Sequence, residues 1–265
     1  MPMMGGHHAI SGAAVWMALA GSAPVLGHVT GLDLWELDPA QVISGAVVAT
    51  GAALLPDIDH PSATISRSGG GLTKAITRTV SSVAGHRGAT HTLLAVLAFT
   101  ALAVLVGGLD HRAHLPVLGE IPTGPVILVG VMCALGTRAL KVVDGMLLPW
   151  LVGLASALAI AVIAPEATIW LPAAVAVGTL THLVGDLLTT DGIPFPTWPL
   201  VARPPRRLAS PLWQRSGDIA VPLLGDAGSA REWLLCTVLT GYAAVTTLST
   251  VFGSPGVLLA VTSSR

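Results

Sequence analysis

Seven apolar stretches dominate this chain, over residues 9–29, 40–55, 91–109, 125–140, 146–164, 168–188 and 233–251. A helix needs about 20 apolar residues to cross a hydrocarbon layer of ~30 Å. Most of the stretches reach or approach that length; the second and fourth are short. Only 10% of the 265 residues are charged and 52% are hydrophobic, against roughly 25% charged in a soluble domain. In water, so little polar surface would not cover so much apolar mass. The expected fold is therefore all-α: a polytopic integral membrane protein of about seven transmembrane helices, forming a single membrane domain over residues 1–265. Aromatic residues are only 4% of the chain, so Ala, Val, Leu and Gly must supply the packing, as in closely packed membrane helices. Cys133 and Cys236 lie inside apolar stretches and read as small buried hydrophobes rather than a disulfide or metal ligands. The net charge of −1 argues against nucleic acid as the main partner. No separable signal peptide is evident, because no Lys or Arg precedes the first apolar stretch. Residues 253–264 are apolar but interrupted by Gly-Ser-Pro-Gly, and are assigned to no span.

The basic residues orient the chain. Arg67, Lys74, Arg78 and Arg87 fall in the connection 58–90, Arg138 and Lys141 follow the fourth stretch, and Arg203, Arg206, Arg207, Arg215 and Arg231 fall in the connection 189–232. Alternating spans put all of these on one side, against Arg112 and Arg265 on the other. Cytoplasmic connections carry the excess of Lys and Arg, so the N-terminus and the three basic connections are expected in the cytoplasm. The Pro- and Arg-rich segment 189–232 is expected on the membrane surface as loop and short helix.

Ionisable groups at the edge of hydrocarbon need a reason. The run Leu54-Leu55-Pro56-Asp57-Ile58-Asp59-His60 places two carboxylates and an imidazole where the second stretch leaves the lipid, with Pro56 kinking or ending the helix. Gly85-His86-Arg87-Gly88-Ala89-Thr90-His91 enters the third stretch, with Thr90 as a plausible N-cap and Arg87 able to grip a phosphate or carboxylate with both arms of its guanidinium. His182-Leu183-Val184-Gly185-Asp186 stacks an imidazole and a carboxylate one turn apart on one helical face. His7 and His8 precede the first stretch. Each motif has a plainer reading: a solvated helix end, a basic loop flanking a span, a buried His–Asp pair, an interfacial N-terminus. Independent plain features would not all collect at the same end of four segments. His and Asp suit zinc or another divalent ion, so a metal site at the cytoplasmic helix ends is expected.

The same motifs resemble the YdjM-like inner-membrane proteins, a family described as membrane-bound metal-dependent hydrolases. Leu-Leu-Pro-Asp-Ile-Asp-His, His-Arg-Gly-x-Thr-His and the late His-x-x-x-Asp followed by Thr and Gly carry the resemblance, over roughly residues 7–200. It implies His8, Asp57, Asp59, His60, His86, His91, His182 and Asp186 as functional positions. A weaker similarity links the pattern to zinc-dependent phospholipase C and related zinc nucleases. The expected function is hydrolysis of a phosphoester, a small molecule or a lipid, at the cytoplasmic face of a bacterial inner membrane. One or two zinc ions, or manganese, would be held by His8, Asp57, His60, His86, His91, His182 and Asp186. Asp59 would be a general base or a supporting carboxylate, and Arg87 the phosphate clamp. The alternatives are a divalent metal-ion transporter or sensor, and a scaffold with a structural metal. A transporter would hold its ion nearer the midplane.

Overall fold

A computed structural model of the chain describes residues 3–30, 37–84, 88–164, 167–194 and 200–252. The chain is mostly helical. Each of the seven apolar stretches falls on a helix: α1 (Gly5–Thr30), α2 (Pro39–Ala52), α5 (Leu93–Gly107), α6 (Thr123–Ala139), α7 (Leu148–Ile163), α8 (Ala167–Leu187) and α9 (Ala230–Phe252). Two further helices, α3 (Thr64–Ser68) and α4 (Gly70–Ala84), lie between α2 and α5. Three helical stretches are long and apolar enough to cross a membrane: Pro39–Asp59, Trp170–Leu187 and Ala230–Phe252. The helices Leu93–Gly107, Thr123–Ala139 and Leu148–Ile163 are apolar but shorter.

Local chemistry sets the ends that matter for the site. Asp38 caps α2: its carboxylate accepts from Gln41 N, and the Gln41 side chain accepts in return from Asp38 N, with Pro39 opening the helix. At the other end Pro56 lacks the donor that a continuing α-helix requires, and the chain tightens into the 3₁₀ turn Pro56–Asp59. A second 3₁₀ turn, Ala89–His91, precedes α5. The N-cap of α5 is Thr92, whose hydroxyl accepts from Ala95 N at 3.2 Å, so the cap lies two residues beyond the expected Thr90.

α2 is the central helix, packed against α1, α6 and α8. Small residues let it approach so closely that a Cβ built on Gly51 would lie 1.9 Å from the Met132 carbonyl oxygen of α6. The main core gathers Trp16, Val48, Ala49, Met132, Trp170 and Leu171. Trp16 is fully buried and donates its indole N–H to Val42 O at 2.8 Å.

Two features depart from the sequence reading. An antiparallel hairpin of β1 (Arg112–Leu115) and β2 (Gly119–Pro122) joins α5 to α6, so the fold is not purely helical. The segment 189–232 forms no helix before α9 among its described residues. Pro204, Pro205, Pro211 and Pro222 remove the donors a helix needs. Isolated bridges organise it instead, pairing Thr189 with Gly225, and Ile219 with both Ile193 and Trp213.

Candidate metal centre

Four helix ends meet at one end of the bundle: the start of α1, the end of α2 with its 3₁₀ turn, the turn before α5, and the last turns of α8. α8 presents His182 and Asp186 one turn apart, both fully buried. His182 Nδ1 donates to Ala53 O at 2.7 Å. That carbonyl belongs to the C-cap residue of α2, where helix ends leave acceptors unpaired. The bond fixes the tautomer, and the lone pair on Nε2 therefore faces the cluster. Within 3.9 Å of this nitrogen stand His91 Nε2 (3.3 Å), Asp186 Oδ2 (3.6 Å) and Asp57 Oδ1 (3.9 Å).

His91 is held the same way from its far side. Thr90 Oγ1 donates to Asp59 Oδ2 at 2.7 Å and lies 3.1 Å from His91 Nδ1. With its proton given to Asp59, the hydroxyl can only accept from His91, which puts the imidazole proton on Nδ1 and the lone pair on Nε2. Asp59 is fully buried, and its Oδ2 is 3.6 Å from His91 Nδ1. Its role in this geometry is to orient His91 through Thr90. Asp57 is the one carboxylate of the cluster that reaches solvent, with its side chain 19% exposed.

His8 completes the arrangement from α1. Its ring stacks on His182 with centroids 3.7 Å apart and planes 14° from parallel. Its Nε2 is 3.2 Å from Asp186 Oδ1, yet both ring nitrogens are buried without a well-formed hydrogen bond. The stack depends on Gly185, where a Cβ would stand 2.8 Å from Met3 Sδ and 3.0 Å from His8 Cε1. The N-terminal turn is pinned on both sides. Met3 N donates to Asp186 Oδ1 at 3.2 Å and Met4 N donates to Glu232 Oε1 at 2.9 Å. Glu232, fully buried in the first turn of α9, also lies 2.5 Å from His7 Nδ1 and accepts from Gly228 N.

Two groups of donors result, and they share His182. His8, His182 and Asp186 offer ligand atoms within 4.8 Å of one another, and so do Asp57, His91 and His182. Two lone-pair nitrogens facing each other at 3.3 Å repel unless a proton or a metal ion joins them. Buried imidazole nitrogens without hydrogen bonds need a partner as well. Imidazole and carboxylate donors converging in this way fit a divalent cation of the borderline class.

Of the residues expected from sequence, His8, Asp57, His91, His182 and Asp186 come together, and Asp59 supports them from behind His91. His60 joins neither donor group: its Nδ1 accepts from Ser62 N at 3.1 Å and faces Ser62 Oγ at 2.9 Å. His86 and Arg87 lie outside the described residues. Thr90 and Glu232 are supporting residues that the sequence reading did not assign to the site. The one carboxylate of a long apolar helix, in its first turn beside Arg231, was the signal for Glu232.

Apolar helices long enough to cross a bilayer, ending in a buried cluster of His and Asp, define a helical membrane protein with a candidate metal centre. The chain belongs to the YdjM inner membrane protein family, whose sequence model matches residues 3–253. Searches of curated proteins and of solved structures return no match.

Proposed function

We propose that this protein is a membrane-bound, metal-dependent hydrolase acting on a phosphoester at the cytoplasmic face of the inner membrane, which it crosses with α1, α2 and α5 to α9. The observation that carries the reading is the His182 Nδ1 bond to Ala53 O, which commits the other ring nitrogen to a donor set beside the partly exposed Asp57. One or two divalent ions held among His8, Asp57, His91, His182 and Asp186, zinc or manganese by the character of these donors, would supply Lewis acidity and a water made acidic near neutral pH. The chain's own residues do the rest. Asp59 and Thr90 hold His91 in one tautomer, and the Gly185 surface holds His8 against His182. Asp57, the carboxylate open to solvent, would hold an ion with one oxygen and take a proton from an incoming water with the other. Arg87, three residues before Thr90, is the cation assigned to the phosphoryl oxygens. In the net reaction a water oxygen bonds to phosphorus, the ester P–O bond breaks, and the leaving oxygen takes up a proton.

The position of the cluster at helix ends favours surface chemistry over transport, since transporters tend to hold ions near the midplane. The test is hydrolysis of a phosphodiester by purified protein supplied with zinc or manganese, run beside metal flux into liposomes. Asp57→Ala and His182→Ala should each abolish turnover while the helical content stays. Metal flux without hydrolysis, lost in the same two variants, would replace the enzyme by a transporter. Metal binding with neither activity would leave a structural site.

A further inference from the structure

Behind the 3₁₀ turn that carries Asp57 lies a second feature, an apolar chamber of about 340 Å³ between α4, α5 and α6. Leu55 and Ile58, the residues on either side of the Pro56-Asp57 step, form its inner wall. One short turn thus shows a carboxylate to the metal cluster and aliphatic side chains to the chamber. The volume falls within the ~300–1,000 Å³ typical of ligand sites.

Its chemistry excludes water as the natural filling. Every polar side chain in the lining is already bonded elsewhere. Ser68 Oγ donates to Ile65 O at 2.6 Å, Thr73 Oγ1 to Ser66 O at 2.9 Å, and Thr77 Oγ1 to Ser66 Oγ at 3.1 Å. The Trp150 indole N–H donates to Ser68 O at 2.6 Å. A water needs two to four polar partners to reside in a cavity, and here it would meet only a few hydroxyl oxygens whose protons are already committed. The mouth is apolar too, with Leu72, Ile76 and Leu102 at 71%, 42% and 52% exposure. Side chains like these are expected to face lipid where α5 stands among membrane helices.

α4 fixes the depth of that mouth. Leu72 and Ile76 are one turn apart on it, and Lys74 and Arg78 are one turn apart on another face, where they line a separate hollow with Ser66 and Thr77. An amphipathic helix of this kind lies in the plane of the interface, with its cations among anionic headgroups and its apolar face in the acyl region. The chamber therefore opens just beneath the phosphate level.

We propose that the chamber receives one hydrocarbon chain of an anionic phospholipid, and that this lipid is the phosphoester substrate of the neighbouring His/Asp cluster. The binding step stands on the chamber alone; the assignment as substrate rests on the hydrolase reading above. The chain lies against Leu55 and Ile58, and its headgroup emerges on the side of Asp57. Affinity then comes from the buried methylenes, and catalytic discrimination from chain length.

The experiment places the full-length protein in vesicles of phosphatidylethanolamine and phosphatidylglycerol that contain phosphatidylglycerol with a diazirine in its acyl chain. After photolysis, cross-links are mapped by mass spectrometry. The expected result is labelling of chamber residues such as Leu128, Val131 and Trp150. Leu72→Trp and Leu102→Trp, two bulky replacements at exposed positions on opposite lips of the mouth, should each cut that labelling. Labelling of the outer face of α9 at Leu234 and Val238 should persist and certifies a folded protein. In parallel, the ratio of kcat/KM for a long-chain over a short-chain phospholipid should fall by about tenfold or more in both variants. Labelling confined to outward faces, or chamber labelling indifferent to both Trp variants, overturns the chamber assignment even if hydrolysis is observed. Chamber labelling in a protein that hydrolyses neither lipid keeps the chain-binding site and overturns the substrate assignment, while the hydrolase reading stands or falls separately with the phosphodiester assay above. Hydrolysis with equal kcat/KM for both chain lengths keeps the hydrolase and overturns the chamber as the site through which it selects its lipid.

Discussion

At the scale of single residues, the site depends on groups that are not themselves donors. Gly185 sits between the two α8 donors. The spacing of His182 and Asp186 was readable from the sequence, because a four-residue interval on a helix has one geometric meaning. The reason for the glycine between them was not, because Met3 and His8 approach it from the far end of the chain. Gly185→Ala should leave the protein folded but push His8 off His182, since the added Cβ would stand 3.0 Å from His8 Cε1. Metal affinity, measured by chelator competition, should drop by about 10–100-fold, the usual loss when a supporting contact to a ligand is removed. Glu232 was equally hidden, with its partner His7 lying 225 residues away in sequence. Glu232→Ala would strand a buried imidazole and two backbone donors, and should cost about 3–5 kcal/mol of stability. Glu232→Gln keeps an acceptor oxygen and should cost distinctly less, as read by the midpoints of thermal unfolding in detergent.

At the scale of elements, the two 3₁₀ turns do what a continued helix would not. Pro56 stops α2, so that Asp57 and Asp59 leave on a tighter spiral with 3.0 residues per turn. The second turn brings Thr90 under Asp59. Pro56 was a legible breaker, but the tighter spiral was not, since nothing local separates a 3₁₀ turn from a frayed helix end. The threonines on either side of His91 show the same limit. Sequence periodicity could not decide which of them caps α5, because Thr is equally suited to cap from either position. The structure divides the work: Thr92 caps, and Thr90 relays Asp59 to His91. The two roles separate experimentally. Thr92→Ala should lower stability by about 1 kcal/mol, the common value of an N-cap, and leave metal affinity alone. Thr90→Val should weaken metal binding by about 10–100-fold with little effect on unfolding, and Thr90→Ser should restore it. Equal metal affinities in Thr90→Val and the parent would remove Asp59 and Thr90 from the site.

At the scale of the molecule, the placement of the helices was legible because each apolar stretch, even the short second and fourth, is bounded by charge or proline. The β1–β2 hairpin was not, since its strands are four residues each and carry no alternation strong enough to announce them. Orientation rests on the distribution of Lys and Arg, and the fold supplies two well-placed probes for it. Val117, at the tip of the hairpin, is 92% exposed at the end of the bundle away from the His/Asp cluster. Arg206 is exposed in the segment that follows Asp186 and α8. Native Cys133 and Cys236 are buried, so background labelling should be low. In intact cells a membrane-impermeant maleimide should label Val117→Cys and spare Arg206→Cys until the membrane is opened. The reverse pattern would put the cluster, and the mouth of the apolar chamber with it, on the outer face, moving the substrate to the other leaflet while leaving the donor geometry untouched. Labelling of both positions from outside would place the two ends of the bundle on the same side, and the seven-span reading would fall.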